Sequence, residues 1–234
     1  MKIIDRCLGM LYPQTCCFCG KISTKSICKS CEKKVTYVTE PLCKKCGKPI
    51  RYEEQEYCGD CKEKTSYFEQ GKSIWIHSGN VRWSVYQFKY HNRRIYGKFY
   101  AEEMKRLYGE WICQKHIDVI VPIPLHRKRR RKRGYNQAEI LAKHLGRLMA
   151  ITVDTKGVVR IENTKPQKEL NHKERKKNLK TAFRISKHWK CRKNVLLIDD
   201  IYTTGNTIDA VAKVLRENGA DKVWFLTISI GQGF

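Results

Sequence analysis

No stretch of this chain approaches the roughly 20 consecutive apolar residues needed to span a bilayer. The first residues also lack the look of a secretory signal, because Asp5 and Arg6 interrupt the only apolar stretch there. Together these absences predict a cytoplasmic protein without a membrane span, whose cysteines stay reduced. Acids are scarce as well. Against 48 Lys and Arg there are 23 Asp and Glu, a net charge of +25 over 234 residues. Such a field favours polyanions: nucleic acid, an anionic membrane surface or phosphorylated ligands. The bases are clustered, which argues against a merely solubilising role.

Cysteine, by contrast, is plentiful. Four CxxC pairs follow one another: Cys16/Cys19, Cys28/Cys31, Cys43/Cys46 and Cys58/Cys61. Each pair can present two thiolates to one tetrahedral ion, and two pairs complete a four-cysteine zinc site. Gly20 and Gly47 follow the first and third pairs, where a knuckle turn aims backbone N–H groups at sulfur. A full shell of thiolates leaves no open position, which argues against a catalytic zinc. The expectation is two structural Zn²⁺ ions in a double zinc ribbon, with sequential pairing preferred and a cross-braced arrangement also compatible with the spacing. Few apolar residues lie between the pairs, so metal would supply much of the folding energy, on the order of 10 kcal/mol per site. Cys7, Cys17, Cys113 and Cys191 read as packing residues. Residues 1–12 read as a short amphipathic helix closed by Pro13.

Beyond about residue 65 the composition changes, dividing the chain into residues 1–65 and 66–234. Residues 73–77 alternate like a strand. Residues 81–89 read as a helix with Val81, Val85 and Phe88 inward, and a longer helix follows from about 95 to 113. Tyr86, Tyr90, Tyr96 and Tyr100 interleave with Lys89, Arg93, Arg94 and Lys98. Aromatics among cations suit single-stranded nucleic acid, yet at helical spacing most are expected in the core. Residues 117–121 form a buried strand that runs into Pro122-Ile123-Pro124-Leu125 and His126. Then come Arg127, Lys128, Arg129, Arg130, Arg131, Lys132 and Arg133. This run sits between a strand's carboxyl end and a helix start, on the ligand side of an α/β sheet, so it is assigned to nucleic acid or pyrophosphate. Residues 161–180 form a long polar connection of the kind that is functional or mobile, here expected to be a lid containing Lys165 and Gln167.

The most informative stretch is Val195-Leu196-Leu197-Ile198-Asp199-Asp200-Ile201-Tyr202-Thr203-Thr204-Gly205-Asn206-Thr207. It reads as a buried parallel strand, two acids at its carboxyl end, a tight turn and a helix N-terminus. Acids can hold hydroxyls, while backbone N–H groups and hydroxyls at the turn cradle phosphate. A ribose 5-phosphate fits both. The segment closely resembles the phosphoribosyl pyrophosphate (PRPP) signature of type I phosphoribosyltransferases, departing from it at the bulky Tyr202. The helix ends at Asn218-Gly219, and residues 223–230 form the last strand.

Taken with the cysteine pairs, the motif order Val121-Pro122-Ile123-Pro124-Leu125-His126, Arg133-Gly134-Tyr135-Asn136-Gln137, Thr164-Lys165-Pro166-Gln167 and Asp199-Asp200 resembles the ComF family of competence proteins. The resemblance implies an α/β fold: a type I phosphoribosyltransferase-like parallel sheet flanked by helices, preceded by the zinc ribbon. It implies a role in DNA uptake and natural transformation, handling incoming single-stranded DNA, alongside other competence proteins such as the DNA-uptake helicase, with recruitment to membrane-associated uptake machinery. By motif, Asp199 and Asp200 would hold the ribose hydroxyls, and Thr203, Thr204, Gly205, Asn206 and Thr207 the 5-phosphate. Pro122, Ile123, Pro124 and Leu125 would form the pyrophosphate loop, with Mg²⁺ bridging pyrophosphate and ribose. If the site turns over, pyrophosphate leaves the anomeric carbon. No residue stands out as a base for an acceptor, and the chain ends at Phe234 without the base-recognising hood many such enzymes carry. A metabolic phosphoribosyltransferase acting on a nitrogenous acceptor is the alternative.

Overall fold

The computed structural model describes residues 14–161 and 182–232. The helix expected over residues 1–12, Cys7 and the lid residues Lys165 and Gln167 lie outside the described residues. The strands are β1 (Gly71–Ile76), β2 (Val119–Pro122), β3 (Thr152–Val153), β4 (Val158–Arg160), β5 (Phe183–Ile185), β6 (Asn194–Tyr202) and β7 (Lys222–Ile230). The helices are α1 (Lys29–Glu32), α2 (Gly59–Lys62), α3 (Gly79–Tyr90), α4 (Tyr96–Gln114), α5 (Arg127–Arg133), α6 (Gln137–Met149) and α7 (Asn206–Arg216).

Five strands make one parallel sheet in the order β1-β7-β6-β2-β3, and β4 and β5 pair antiparallel beside it. The near-continuous apolar runs of β6 and β7 follow from burial on both faces. Alternate residues face opposite ways. Leu196, Ile198, Trp224 and Leu226 join the core beneath α3, α4 and α6. Val195, Leu197, Val223 and Phe225 join the second core, beneath α7 and the β4–β5 pair.

The cysteine-rich segment straddles the β1 edge. Cys16, Cys17, Phe18, Cys31 and Val35 belong to the first core, whereas Cys43, Cys46, Ile50 and Cys58 belong to the second. Between them the chain runs antiparallel to β1, with Val38 N donating to Ile74 O at 2.9 Å and Ile76 N to Thr36 O at 2.9 Å. This pairing covers a sheet edge that would otherwise offer unpaired backbone groups. Phe18 meets Trp75 edge-on at 5.2 Å, so the ribbon gains stability from the sheet.

Several details differ from the sequence reading. The basic run is a helix, α5, because the His126 ring accepts from Lys128 N at its start and Gly134 closes it at φ +76°. Of the four interleaved tyrosines only Tyr96 and Tyr100 are core, while Tyr86 and Tyr90 are exposed. Cys17 is buried as expected, but Cys113 and Cys191 are exposed, which corrects the packing role assigned to them.

Candidate functional site

The topology places the site. From β2 the chain continues to β3 on one side, and from β6 to β7 on the other. Adjacent strands that depart in opposite directions leave a crevice at their carboxyl ends, the usual ligand position in open α/β sheets. The carboxyl end of β6 carries Asp199 and Asp200, and that of β2 carries Pro122.

Asp200 is buried and its Oδ1 lies 2.9 Å from Lys89 Nζ, which reaches in from α3. Asp200 N donates to Asp199 Oδ1 at 2.8 Å. The Asp199 carboxyl is pushed up to about 7, chiefly by burial and by the adjacent Asp200, against the pull of Lys89, the Asp200 N–H and Arg160. Arg160, at the end of β4, is moved down to about 10 by burial and by Arg129, with Asp199 opposing. Lys89 and Arg160 were not singled out for the site from sequence. Lys89 sits among aromatic helix positions, and Arg160 looks like an ordinary end to a short strand. Only the packing of α3 and β4 against the sheet brings them to the acids.

After β6 the chain turns through Thr203, Thr204 and Gly205 into α7. Gly205 caps that helix at φ +75°, and a Cβ there would lie 2.4 Å from the Tyr202 hydroxyl oxygen. Glycine is therefore required both by backbone conformation and by space. Tyr202, the departure from the PRPP signature, is buried beneath this turn and stacks on Phe225 with ring centroids 4.7 Å apart. Lys89, Asp199, Asp200, Tyr202, Thr203, Gly205, Asn206 and Thr207 line one cleft of about 270 Å³. Thr204 lines a small adjoining cavity instead.

The loop after β2 is tied down. Ile123 N donates to Ile198 O at 2.9 Å, and Asn136 Nδ2 donates to Ile123 O at 3.0 Å. Pro122 and Pro124 have no N–H. Among the four expected pyrophosphate-loop residues, Leu125 is thus the one whose N–H is neither missing nor committed to a partner among the described residues. Beyond it, α5 exposes Arg127, Lys128, Arg130, Arg131 and Lys132, with Arg129 and Arg133 half-buried. Arg130 pairs with Glu139 at 3.0 Å. Arg133 donates to Tyr90 Oη at 3.0 Å and lies over its ring at 4.7 Å. Tyr90 in turn lies 5.0 Å from Tyr86, and Tyr86 lies 5.3 Å from His91. Aromatic rings and guanidinium groups therefore share one surface.

The cysteines form two clusters with sequential pairing, Cys16, Cys19, Cys28 and Cys31, then Cys43, Cys46, Cys58 and Cys61. Within each, all four sulfur atoms lie within 4.8 Å of one another. The Cys19–Cys28 and Cys46–Cys58 sulfurs are 3.9 Å and 3.6 Å apart. A tetrahedral Zn²⁺ with bonds of about 2.3 Å needs sulfurs roughly 3.8 Å apart, so both clusters fit a structural ion. Gly20 and Gly47 both have φ +72° in their knuckles. Phe18 N and Cys28 N point at Cys16 Sγ, each at 3.4 Å. Burial pushes the neighbouring Cys17 thiol up to about 12, which suits a residue outside the ligand set.

A model of the double zinc ribbon domain matches residues 7–62. One of the phosphoribosyl transferase domain matches residues 100–229, more than half of the chain. Competence protein F of Haemophilus influenzae is 38% identical over 108 residues, 45% of this chain and 47% of that protein. DNA utilization protein YhgH of Escherichia coli is 38% identical over 111 residues, 47% of this chain and 48% of that one. Competence protein ComFC of Bacillus subtilis is 28% identical over 151 residues, 64% of this chain and 59% of that one. The matched stretch thus spans about half the length of the first two relatives. A phosphoribosylpyrophosphate synthetase from Mycobacterium smegmatis aligns with a TM-score of 0.32 at 19% identity, covering 58% of this chain and 33% of that one, too weak a likeness to bear on fold or function. No helix among the described residues is long and apolar enough to cross a membrane. With its parallel sheet, its acid pair at the β6 carboxyl end and its two cysteine clusters, this chain belongs to the phosphoribosyl transferase domain family and carries an N-terminal double zinc ribbon.

Proposed function

We propose that this protein handles single-stranded DNA during natural transformation and binds PRPP with Mg²⁺ in the cleft at the β6 carboxyl end. The observation that carries the PRPP half is the opening of Asp199, Asp200, Thr203, Gly205, Asn206 and Thr207 onto one cleft. In this reading Asp199 and Asp200 accept from the ribose hydroxyls. The turn and the N-terminus of α7 hold the 5-phosphate. The pyrophosphate faces the loop from Leu125 onward, with Arg129 and Arg160 supplying positive charge, and Lys165 and Gln167 close over it. Mg²⁺, held mainly through substrate oxygens and water, would neutralise charge between pyrophosphate and ribose. Two Zn²⁺ ions hold the ribbon.

The DNA half rests on the +25 charge, on the exposed α5 and on the Tyr86–Tyr90–Arg133 surface beside it. The relatives named for competence and DNA utilization are consistent with that setting. The protein would work in the cytoplasm, recruited to the uptake machinery by other competence proteins such as its helicase. Titration with a single-stranded oligonucleotide in rising salt tests this half, with a steep loss of affinity expected. Salt-independent binding, or none, would remove it. One observation favours turnover on a small nitrogenous acceptor: Asp199 and Arg160 are near enough to shift each other's titration, and an acid beside a cation suits a cationic sugar and a departing pyrophosphate. Mg²⁺-dependent pyrophosphate release across a panel of bases tests that second reading.

A further inference from the structure

Leaving the second cysteine cluster, the chain passes directly beside the phosphate turn. Tyr67 N donates to Asp209 Oδ1 in the first turn of α7 at 2.6 Å, which pins the segment there. Asp60, Lys64, Tyr202, Thr204, Gly205 and Asn206 are among the residues that line a small cavity of about 20 Å³ there. Tyr202, Gly205 and Asn206 line both this cavity and the larger cleft, so the two adjoin at this turn.

Three of the lining polar atoms are buried and have no hydrogen-bond partner among the described residues: Lys64 Nζ, Thr204 Oγ1 and Asn206 Nδ2. The nearest carboxylate to Lys64 is that of Asp60, at 4.0 Å. Asp60 is already engaged by the buried Lys48 at 2.6 Å. An ammonium, a hydroxyl and an amide NH₂ together form a donor-rich set. Leaving such donors buried and unpaired is costly, most of all for the charged one. What satisfies them is an acceptor with several lone pairs and negative charge. A space of about 20 Å³ holds one oxygen-sized atom.

We infer that Lys64 is a phosphate-binding residue: its ammonium, delivered by the zinc ribbon, takes one oxygen of the ligand's 5-phosphate together with Thr204 and Asn206. This rests on the reading of the cleft as a phosphoribosyl site and extends it, because it makes the ribbon one wall of that site. It also identifies the ligand class that the wall selects, a sugar bearing a terminal phosphate monoester. The competing occupant is a single ordered water, which would accept from Lys64 and Thr204 and involve no ligand.

The experiment measures affinity for PRPP, ribose 5-phosphate and pyrophosphate as separate probes, with Mg²⁺ present, on the full chain and on Lys64→Met and Lys64→Arg. Zinc content of each protein is measured alongside. Loss of one charged hydrogen bond predicts that Lys64→Met weakens ribose 5-phosphate and PRPP by about tenfold or more. Pyrophosphate affinity and zinc content stay unchanged, and Lys64→Arg recovers most of the loss. Unchanged ribose 5-phosphate affinity in Lys64→Met would leave the water and overturn the assignment. So would an equal loss for pyrophosphate, a loss of zinc or a failure of Lys64→Arg to recover. Wild-type protein that binds none of the three overturns the cleft reading and this inference with it, whereas wild-type binding untouched by Lys64→Met overturns this inference alone.

Discussion

Lys89 and Asp200, both lining the cleft, meet at 2.9 Å, so the acid pair is already partly neutralised before any ligand binds. Both side chains are largely shielded from solvent. Removing one partner of a shielded pair strands the other charge. Lys89→Met is expected to cost about 2 kcal/mol of folding stability, and Asp200→Asn in the same chain to restore part of it. Urea denaturation of the two single variants and the double variant checks this. Additive losses would mean the contact carries no coupling.

The position of Asp199 predicts a pH dependence. Its carboxyl sits near 7 in the folded chain, mainly through burial and Asp200, against about 3.9 in an unfolded one. Between those values the folded chain keeps a proton that the unfolded chain has released. The stability contributed by that proton is fully present below about pH 4 and is lost as pH rises to about 7. Asp199→Asn should therefore flatten the decline over this window and leave the variant more stable than wild type at pH 8. Parallel stability–pH curves for the two proteins would contradict the assignment.

Tyr202 and Gly205 make the phosphate turn sensitive to small changes. Gly205→Ala places a methyl against the Tyr202 ring at φ +75° and should cost at least about 1 kcal/mol from backbone strain alone. Tyr202→Ala removes the ring stacked on Phe225 and should cost about 3 kcal/mol or more. Thermal melts report both, and retention of the wild-type midpoint by either variant would show the turn to be slack.

The two metal clusters should differ in consequence. Buried Lys48, bonded to Asp60, lies 6.0 Å from the Tyr202 ring, linking the second cluster to the phosphate turn. The first cluster packs on Trp75 through Phe18. Cys46→Ser is expected to lower PRPP affinity, while Cys19→Ser alters Trp75 fluorescence and leaves PRPP affinity close to wild type. Zinc content should fall from about two ions to about one in each. Equal effects of the two variants on PRPP would deny the link.

Much of this was legible in the sequence because it is written locally. The strand-turn-helix around Asp199 and Asp200 needs only contiguous residues, and the cysteine pairs carry their chemistry in their spacing. The parallel sheet follows from doubly buried apolar runs in β6 and β7. What the sequence hid depends on partners far along the chain. Lys89 lies 111 positions before Asp200, and its aromatic neighbours point to nucleic acid or to the core, not to an acid pair. Arg160 and Lys64 acquire meaning only from what the fold sets beside them. Tyr86 and Tyr90 share the spacing of Tyr96 and Tyr100, but α3 turns the first two outward and α4 turns the others in. The short helix α5 escaped notice because seven consecutive cations repel one another, and its caps at His126 and Gly134 are what set it.

On the DNA side, removing the charges of the exposed Arg127, Lys128, Arg131 and Lys132 should weaken single-stranded DNA binding and reduce its salt slope by about 0.7 per lost phosphate contact. Tyr90→Ala should cost about 1–3 kcal/mol if a base stacks there. A salt slope unchanged by the charge removal would take α5 out of the DNA surface.

The most direct test of the account is calorimetric titration of PRPP with Mg²⁺ into the wild-type protein and into Asp200→Asn. The cleft geometry predicts saturable binding by the wild type and a loss of about tenfold or more in the variant. Absence of binding by a folded, zinc-loaded wild type, or equal binding by both proteins, would contradict it.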